Sequence, residues 1–163
     1  MIKFKYNKEK AVEMMIYIVS KVKDCDKHEL MKTCFFSDLN HLENYGRPVT
    51  GNSYIKMNYG PVPSEVYSMV RHPLPDENYI EVQGYYLKAL REANLKKLSK
   101  SDIKSIDYAI ELLSDMDFQT RTDISHGHAW QSAELNKAIS FELLLEEIGD
   151  KELMNFVRGG NVA

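Results

Sequence analysis

The spacing of apolar residues near the N-terminus predicts two consecutive helices. Apolar residues recur every three or four positions in the first stretch, at Val12, Met15, Ile16, Val19 and Val22. This period is typical of a helix with one buried face, and Asn7 in front of it is a suitable N-cap. A second helix is predicted from Lys27 to Tyr45. Gly46 follows it at a position where a left-handed backbone favours glycine.

The helical period disappears between Arg47 and Pro63, where prolines and glycines interrupt the chain. Alternating residues from Ser53 to Tyr59 predict a short strand. We expect residues 60–63 to link that strand to a further short helix, with Pro63 at its first helical position.

A hairpin and three more helices are expected in the second half of the chain. Residues 79–90 alternate in polarity, which predicts a hairpin with Gln83 and Gly84 at its turn. Ser99 and Ser140 are suitable N-caps for two helices with apolar stripes, and one short helix is expected within residues 117–135.

These elements predict one α+β domain, mostly helical, with a small antiparallel sheet. The domain is expected to span residues 1–157, followed by a C-terminal tail over residues 158–163. A frayed end is expected from Val157 onwards, because chain termini are often poorly ordered.

Composition is that of a globular protein. Of the 163 residues, 44% are hydrophobic and 28% are charged, which argues against disorder. The net charge of −3 disfavours a chain that wraps nucleic acid. Two cysteines are too few for a disulfide framework and fit a reducing compartment. Since no apolar segment approaches about 18 residues and no signal peptide is evident, we expect a cytoplasmic protein without membrane contact.

Candidate metal ligands are sparse. His126 and His128 form a His-x-His pair, and Asp38 and His41 lie three residues apart on one helix face. A metal site would require these two segments to meet in space. The alternative is that the histidines hydrogen-bond the backbone around a helix start. We expect no metal and no cofactor.

No assembled catalytic set is evident either. Cys34 lies on an apolar helix face, where a buried thiol is inert, and Cys25 lies between two acids that raise a thiol pKa. Glycine-rich phosphate loops and the serine nucleophile motif are missing from the sequence. We therefore expect a protein that is not an enzyme.

A basic run between residues 88 and 104 supports an alternative function. It contains Lys88, Arg91, Lys96, Lys97, Lys100 and Lys104. A hairpin followed by basic residues resembles the wing of a DNA-binding domain, although no recognition helix with base-reading side chains is evident. A DNA-binding regulator that uses this segment is the alternative function, and a nucleic-acid partner is not what we expect.

The most informative stretch runs from residue 35 to residue 67. Four tyrosines lie in it, at Tyr45, Tyr54, Tyr59 and Tyr67. A loop rich in proline, glycine and tyrosine has little conformational freedom to lose, so it suits a preorganised recognition surface. The alternative is a rigid structural crossover in which the tyrosines fill space.

This stretch resembles the Panacea domain of the SocA-like antitoxin family, which includes many phage-associated proteins. The resemblance is carried by the segment DLNHLENYGRPVTG, by the segment from Tyr54 to Tyr67, and by Ser125-His126 followed by Trp130. It covers about residues 8–148. The resemblance implies a protein that neutralises a toxin encoded by an adjacent gene by binding it directly. In some members the antitoxin is an adaptor that presents the toxin to a ClpXP-type protease.

Individual residues of these motifs have expected roles. The motif residues expected to be structural are Tyr45, Gly46, Gly60, Pro61, Pro63, Ser125, His126 and Trp130. We expect Trp130 to bury its ring and His126 to bond to another segment. The residues expected to contact the toxin are Arg47, Tyr54, Tyr59 and Tyr67.

Overall fold

The computed structural model describes residues 1–73, 75–76 and 78–162. Within these residues the chain forms eight α-helices, namely α1 (Lys8–Lys21), α2 (Lys27–Tyr45), α3 (Ser64–Arg71), α4 (Lys100–Leu113), α5 (Phe118–Ser125), α6 (His128–Ser132), α7 (Phe141–Ile148) and α8 (Lys151–Val162). The strands are β1 (Tyr54–Met57), β2 (Gly60–Pro63), β3 (Ile80–Gln83), β4 (Tyr86–Ala89) and β5 (Ala138–Ile139). A short 3₁₀ helix covers Leu95–Lys97. This is the α+β class that the sequence predicts.

Local capping signals set several helix ends where the sequence predicts them. Asn7 accepts a hydrogen bond from the Lys10 backbone N–H at 3.1 Å at the start of α1. Gly46 ends α2 with a φ of +74°, and a β-carbon there would lie 2.8 Å from the ring of Phe156. Ser99 begins α4 through a reciprocal capping box. These three boundaries are confirmed.

Residues 60–63 form a strand rather than the expected linker. Strand β2 pairs with β1 in antiparallel register, with Met57 opposite Gly60 and Tyr54 opposite Pro63. Pro63 is consequently the N-cap of α3 and not its first helical residue. The strand order is β2-β1-β5, so β2 lies at the sheet edge, where prolines without an N–H are tolerated.

The C-terminal region is more ordered than expected. Helix α8 continues to Val162, and Val157 is buried in the core, so the expectation of a frayed end from Val157 is wrong. The proposed domain boundary after residue 157 stays a prediction, and residue 163 of the expected tail lies outside the described residues. The stretch 117–135 holds two short helices, α5 and α6, instead of one.

Helix α2 is the central element of the fold. On one side it packs with α1 and α4 around Leu30 and Ile106, and on the other its Phe35 and Leu42 pack with α7. Polar side chains on α2 are therefore buried and need partners inside the protein. Among the described residues, no helix combines the length and apolar content that a membrane crossing requires.

Candidate functional site

A groove of about 450 Å³ opens between α2, the β1–β2 hairpin, α3 and the start of α5. Its lining is mostly apolar or aromatic and includes Met31, Met57, Tyr59, Val62, Tyr67, Val70, Tyr85 and Phe118. The nitrogen-bearing side chains Lys27, His28, Lys32, Asn58 and Arg71 complete it. A concave apolar site with a few polar groups is typical of a binding site.

Exposed aromatic rings flank this groove. Tyr59 lies at the turn of the β1–β2 hairpin, is 63% exposed, and its ring meets Phe118 edge-on at 5.2 Å. Phe118 stacks on His28 with ring centres 4.0 Å apart. Tyr67 is half-buried, and its hydroxyl accepts a hydrogen bond from Arg71 at 2.8 Å. Such rings bury a large area when they meet a partner.

Lys32 is a lining residue of the groove with a buried ammonium group. Its side chain is on α2, the residue is 1% exposed, and Nζ donates a hydrogen bond to the Pro61 carbonyl at 3.1 Å. Burial lowers the pKa of Lys32 to about 7, and the positive charge of Arg121 adds to the shift. Within the described part of the chain, no carboxylate forms an ion pair with Lys32.

Arg121 of α5 engages the acids at the start of α2. It lies 3.1 Å from Asp26 and 3.6 Å from Glu29, measured between nitrogen and carboxylate oxygen. Its Nε also donates to Nδ1 of His28 at 3.2 Å, so His28 carries its proton on Nε2 and donates to Thr122 at 3.1 Å. Burial lowers the pKa of His28 to about 4, so this ring is neutral near pH 7.

Gly60 permits a close approach of strand β2 to α2 and α5. Its φ is +114°, and a β-carbon there would clash with Ser125 Oγ and with Cε of Lys32. Ser125 in turn donates to the Thr122 carbonyl at 2.8 Å. Strand β2 therefore lies directly against α2 and α5.

His126 and Trp130 hold α6 against the β1–β2 hairpin. Their rings stack 3.6 Å apart and nearly parallel, and Trp130 Nε1 donates to the Met57 carbonyl at 2.9 Å. Lys56 Nζ lies 4.3 Å from the centre of the indole ring. Trp130 is half-buried rather than buried, and Nε2 of His126 is buried without a hydrogen-bond partner among the described residues.

The structure separates the four residues expected to contact a toxin. Tyr59 and Tyr67 both line the groove. Tyr54 does not, because it is 2% exposed and its hydroxyl donates to Asp38 at 2.5 Å, so it supports the fold and offers no contact surface. Arg47 lies outside the groove lining, with Nη2 placed 3.2 Å from a carboxylate oxygen of Asp102.

The side chains of Asp38 and His41 form hydrogen bonds with the backbone of the loop that follows α2. Asp38 accepts hydrogen bonds from the backbone N–H groups of Val49 at 2.7 Å and Thr50 at 3.3 Å. Burial raises the pKa of Asp38 to about 6. Nδ1 of His41 donates to the Arg47 carbonyl at 2.7 Å. Both residues fix this loop to the helix.

The metal hypothesis gains no support from this arrangement. His128 pairs with Glu146 at 2.9 Å, while His126 stacks on Trp130. In the described ranges, no group of three or more histidine, cysteine or acidic residues is placed to hold a metal ion. Cys25 and Cys34 are buried free thiols, and burial raises the pKa of Cys25 to about 12.

The basic run is spread over several elements and is partly neutralised. Arg91 makes two hydrogen bonds to the Glu13 carboxylate, at 2.7 and 2.8 Å, and Lys97 lies 3.2 Å from Glu9. Lys88 lies opposite Glu81 in the β3–β4 register. No observation here favours the DNA-binding alternative.

Tyr85, Phe118 and Lys32 are among the groove-lining residues that the sequence does not single out as contact residues. Tyr85 and Phe118 reach the groove from the second hairpin and from α5, which are distant in sequence from the motif. Lys32 offered one usable signal, because it is a lone charged residue within the apolar run Leu30–Phe36.

Comparison with known proteins shows that most residues of the groove belong to a segment that matches a family model. A family model described as antitoxin SocA-like, Panacea domain matches residues 30–131, which is more than half of the chain. All the groove-lining residues except Lys27 and His28 fall within the match. Searches of curated proteins and of solved structures gave no significant match. The family is generally non-enzymatic and is associated with an antitoxin role. This chain, with its matched segment forming nearly the whole groove, belongs to the SocA-like antitoxin family with a Panacea domain.

Proposed function

We propose that this protein is a cytoplasmic antitoxin that binds and neutralises a protein toxin encoded by an adjacent gene. The observation that supports the proposal is the groove built from the family-matched segment and flanked by exposed aromatic rings. Binding energy at protein interfaces is concentrated in a few aromatic and arginine side chains. Tyr59 and Tyr67 are the contact residues of this proposal, and Arg47 lies outside it.

Rigidity of the groove wall favours this function. Gly60 fits closely against α2 and α5, and Trp130 bonds the hairpin through the Met57 carbonyl. A wall that is already ordered loses little conformational entropy when a partner binds, so more of the contact energy contributes to affinity.

Co-expression with the adjacent gene tests the proposal. We expect the wild-type protein to relieve growth arrest and to co-purify with the toxin. The double substitution Tyr59→Ala and Tyr67→Ala should weaken binding by about 1,000-fold, because two interface hot spots of about 2 kcal/mol each sum to about 4 kcal/mol. Tyr108→Ala is a matched control, since Tyr108 is a 50% exposed tyrosine on α4 outside the groove lining.

Two outcomes would contradict the proposal. If the products of neighbouring genes are harmless and do not bind, the antitoxin function is wrong. If the double variant binds a toxin as tightly as the Tyr108→Ala control does, the groove is not the contact surface. Circular dichroism and thermal melts of both variants would show whether the fold is retained.

The protein can neutralise the toxin by binding it, or it can act as an adaptor that delivers the toxin to a ClpXP-type protease. Our proposal includes this second route, the adaptor route. Toxin half-life distinguishes the two routes. Under the adaptor route, toxin half-life shortens several-fold when the antitoxin is present, and this effect is lost in cells without the protease. Under neutralisation by binding alone, the half-life is the same or longer.

A further inference from the structure

We propose that the groove accepts an acidic, apolar segment of the toxin and that a carboxylate of this segment pairs with Nζ of Lys32. The inference rests on the proposed function, because the segment belongs to the bound toxin. It adds the chemistry of the contact, which neither the family match nor the aromatic lining specifies.

The charge of the lining favours an acidic partner. Lys27, Lys32 and Arg71 are basic, His28 is held neutral by burial, and no carboxylate is part of the lining. Asp26, the N-cap of α2, and Glu29 both pair with Arg121 and not with a basic residue of the lining. Apolar walls strengthen any charge pair formed between them, because they lower the local dielectric constant.

The bonding of Lys32 is incomplete. A lysine ammonium has three donors, and the Pro61 carbonyl accepts one of them. A buried charge without a counter-ion is unfavourable, so a group that supplies negative charge and acceptor oxygens gains affinity there. The pKa of about 7 agrees with this environment, and pairing with a carboxylate would raise it.

The volume of the groove and its apolar walls indicate which other side chains the bound toxin segment carries. A volume of about 450 Å³ accommodates a few side chains and not a folded element. Tyr59, Val62 and Phe118 present apolar surface on which an aromatic or branched aliphatic side chain can pack. A strand or loop with such a residue beside an aspartate or glutamate therefore fits better than a phosphate backbone, which would leave these walls uncovered.

A pair of small probes tests this chemistry without the toxin. We would titrate the full-length protein with 3-phenylpropionate and with its neutral amide, following the Lys32 ε-methylene and the Tyr59 ring by NMR. We expect the carboxylate to bind at least tenfold more tightly than the amide and to raise the pKa of Lys32 by about one unit or more. The Lys32→Met variant should bind both probes equally, whereas Lys104→Met, a change at an exposed position on α4, should keep the preference.

The outcomes separate this inference from the proposed function. Absence of binding by the carboxylate, equal binding of both probes to the wild type, or a preference that persists in Lys32→Met would overturn the inference. Competition by a short single-stranded DNA would also overturn it, in favour of a nucleic-acid ligand. A toxin that binds wild type and Lys32→Met equally would leave the antitoxin function standing and remove this contact. A toxin contact through Lys32 should instead weaken at least tenfold in that variant.

Discussion

The buried ammonium of Lys32 makes the stability of this protein depend on pH. The pKa of Lys32 is about 7 in the folded state, against 10.5 for a solvated lysine. Between these two values the unfolded chain binds more protons than the folded chain does. Stability therefore rises with pH above 7 and falls as pH decreases from 10.5 to 7. Replacing Lys32 with methionine removes this dependence.

The size of the effect follows from the two pKa values. One pKa unit corresponds to about 1.36 kcal/mol, so the wild type should gain about 2 kcal/mol in free energy of unfolding from Lys32 between pH 6.5 and pH 8.5. The Lys32→Met variant should gain nothing from this position over the same range. The residue is 1% exposed, so screening by solvent does not reduce the value appreciably.

Urea titrations at pH 6.5, 7.5 and 8.5, at constant ionic strength, would measure this difference. Comparing wild type with Lys32→Met cancels the other titrating groups. These include the buried thiol of Cys25, whose raised pKa lowers stability as pH increases. Lys104→Met is the control for loss of a positive charge at an exposed site. If the wild-type and Lys32→Met curves stay parallel within about 0.5 kcal/mol, Lys32 is not desolvated and the reasoning fails.

Three further substitutions test other parts of the site by denaturant titration. Gly60→Ala should lower the free energy of unfolding by about 2–3 kcal/mol, because Gly60 has a positive φ and a β-carbon there would clash with α2 and α5. In the control Gly84→Ala the new β-carbon meets no atom within 4 Å, so the loss should be about 1 kcal/mol. Equal losses in the two variants would contradict the close packing of β2. The pKa of His28 is lowered to about 4 in the folded protein, so the unfolded chain binds more protons than the folded chain between pH 6.5 and pH 4. The contribution of His28 to the free energy of unfolding is therefore complete above pH 6.5 and falls by about 3 kcal/mol as the pH decreases to 4. The His28→Gln variant should not show this loss of stability in acid, whereas the control His72→Gln, a change at an exposed histidine, should still show it. If both variants lose the same stability in acid, His28 is not the source of the loss. Trp130→Phe should cost about 1–2 kcal/mol through the hydrogen bond to the Met57 carbonyl, and an unchanged stability would show that this bond does not hold the hairpin.

Local signals explain which parts of the fold could be predicted from the sequence. The bounds of α2 follow from its apolar pattern and from Gly46, which acts within one turn of the helix. The sequence does not predict strand β2, because Pro61 and Pro63 argue against strand pairing and the position of β2 at the sheet edge is a property of the whole sheet. It does not predict helix α8 either, because the burial of this helix depends on Val157 packing against distant residues.

The same distinction applies to the candidate site. The sequence singles out Tyr59 and Tyr67, which line the groove, because the motif that contains them is contiguous in sequence, and their contact with a toxin stays a prediction. Phe118 and Tyr85 come from separate elements and meet the motif only through tertiary packing. The motif alone did not distinguish buried Tyr54 from exposed Tyr59, because both lie in or next to one short hairpin and differ in the direction of the side chain.

In the β1–β2 hairpin, different residues set the backbone shape and form the exposed surface, and this bears on how the binding specificity of such a protein can change. The shape of the hairpin depends on Gly60 and on a main-chain carbonyl that receives the Trp130 indole, while the side chain of Tyr59 projects mainly into solvent. Under the proposed function, a substitution at position 59 would therefore change the affinity of the groove for a toxin while leaving the scaffold intact. Descendants of one ancestral protein can acquire new targets by point changes at such positions, without rebuilding the backbone that presents them.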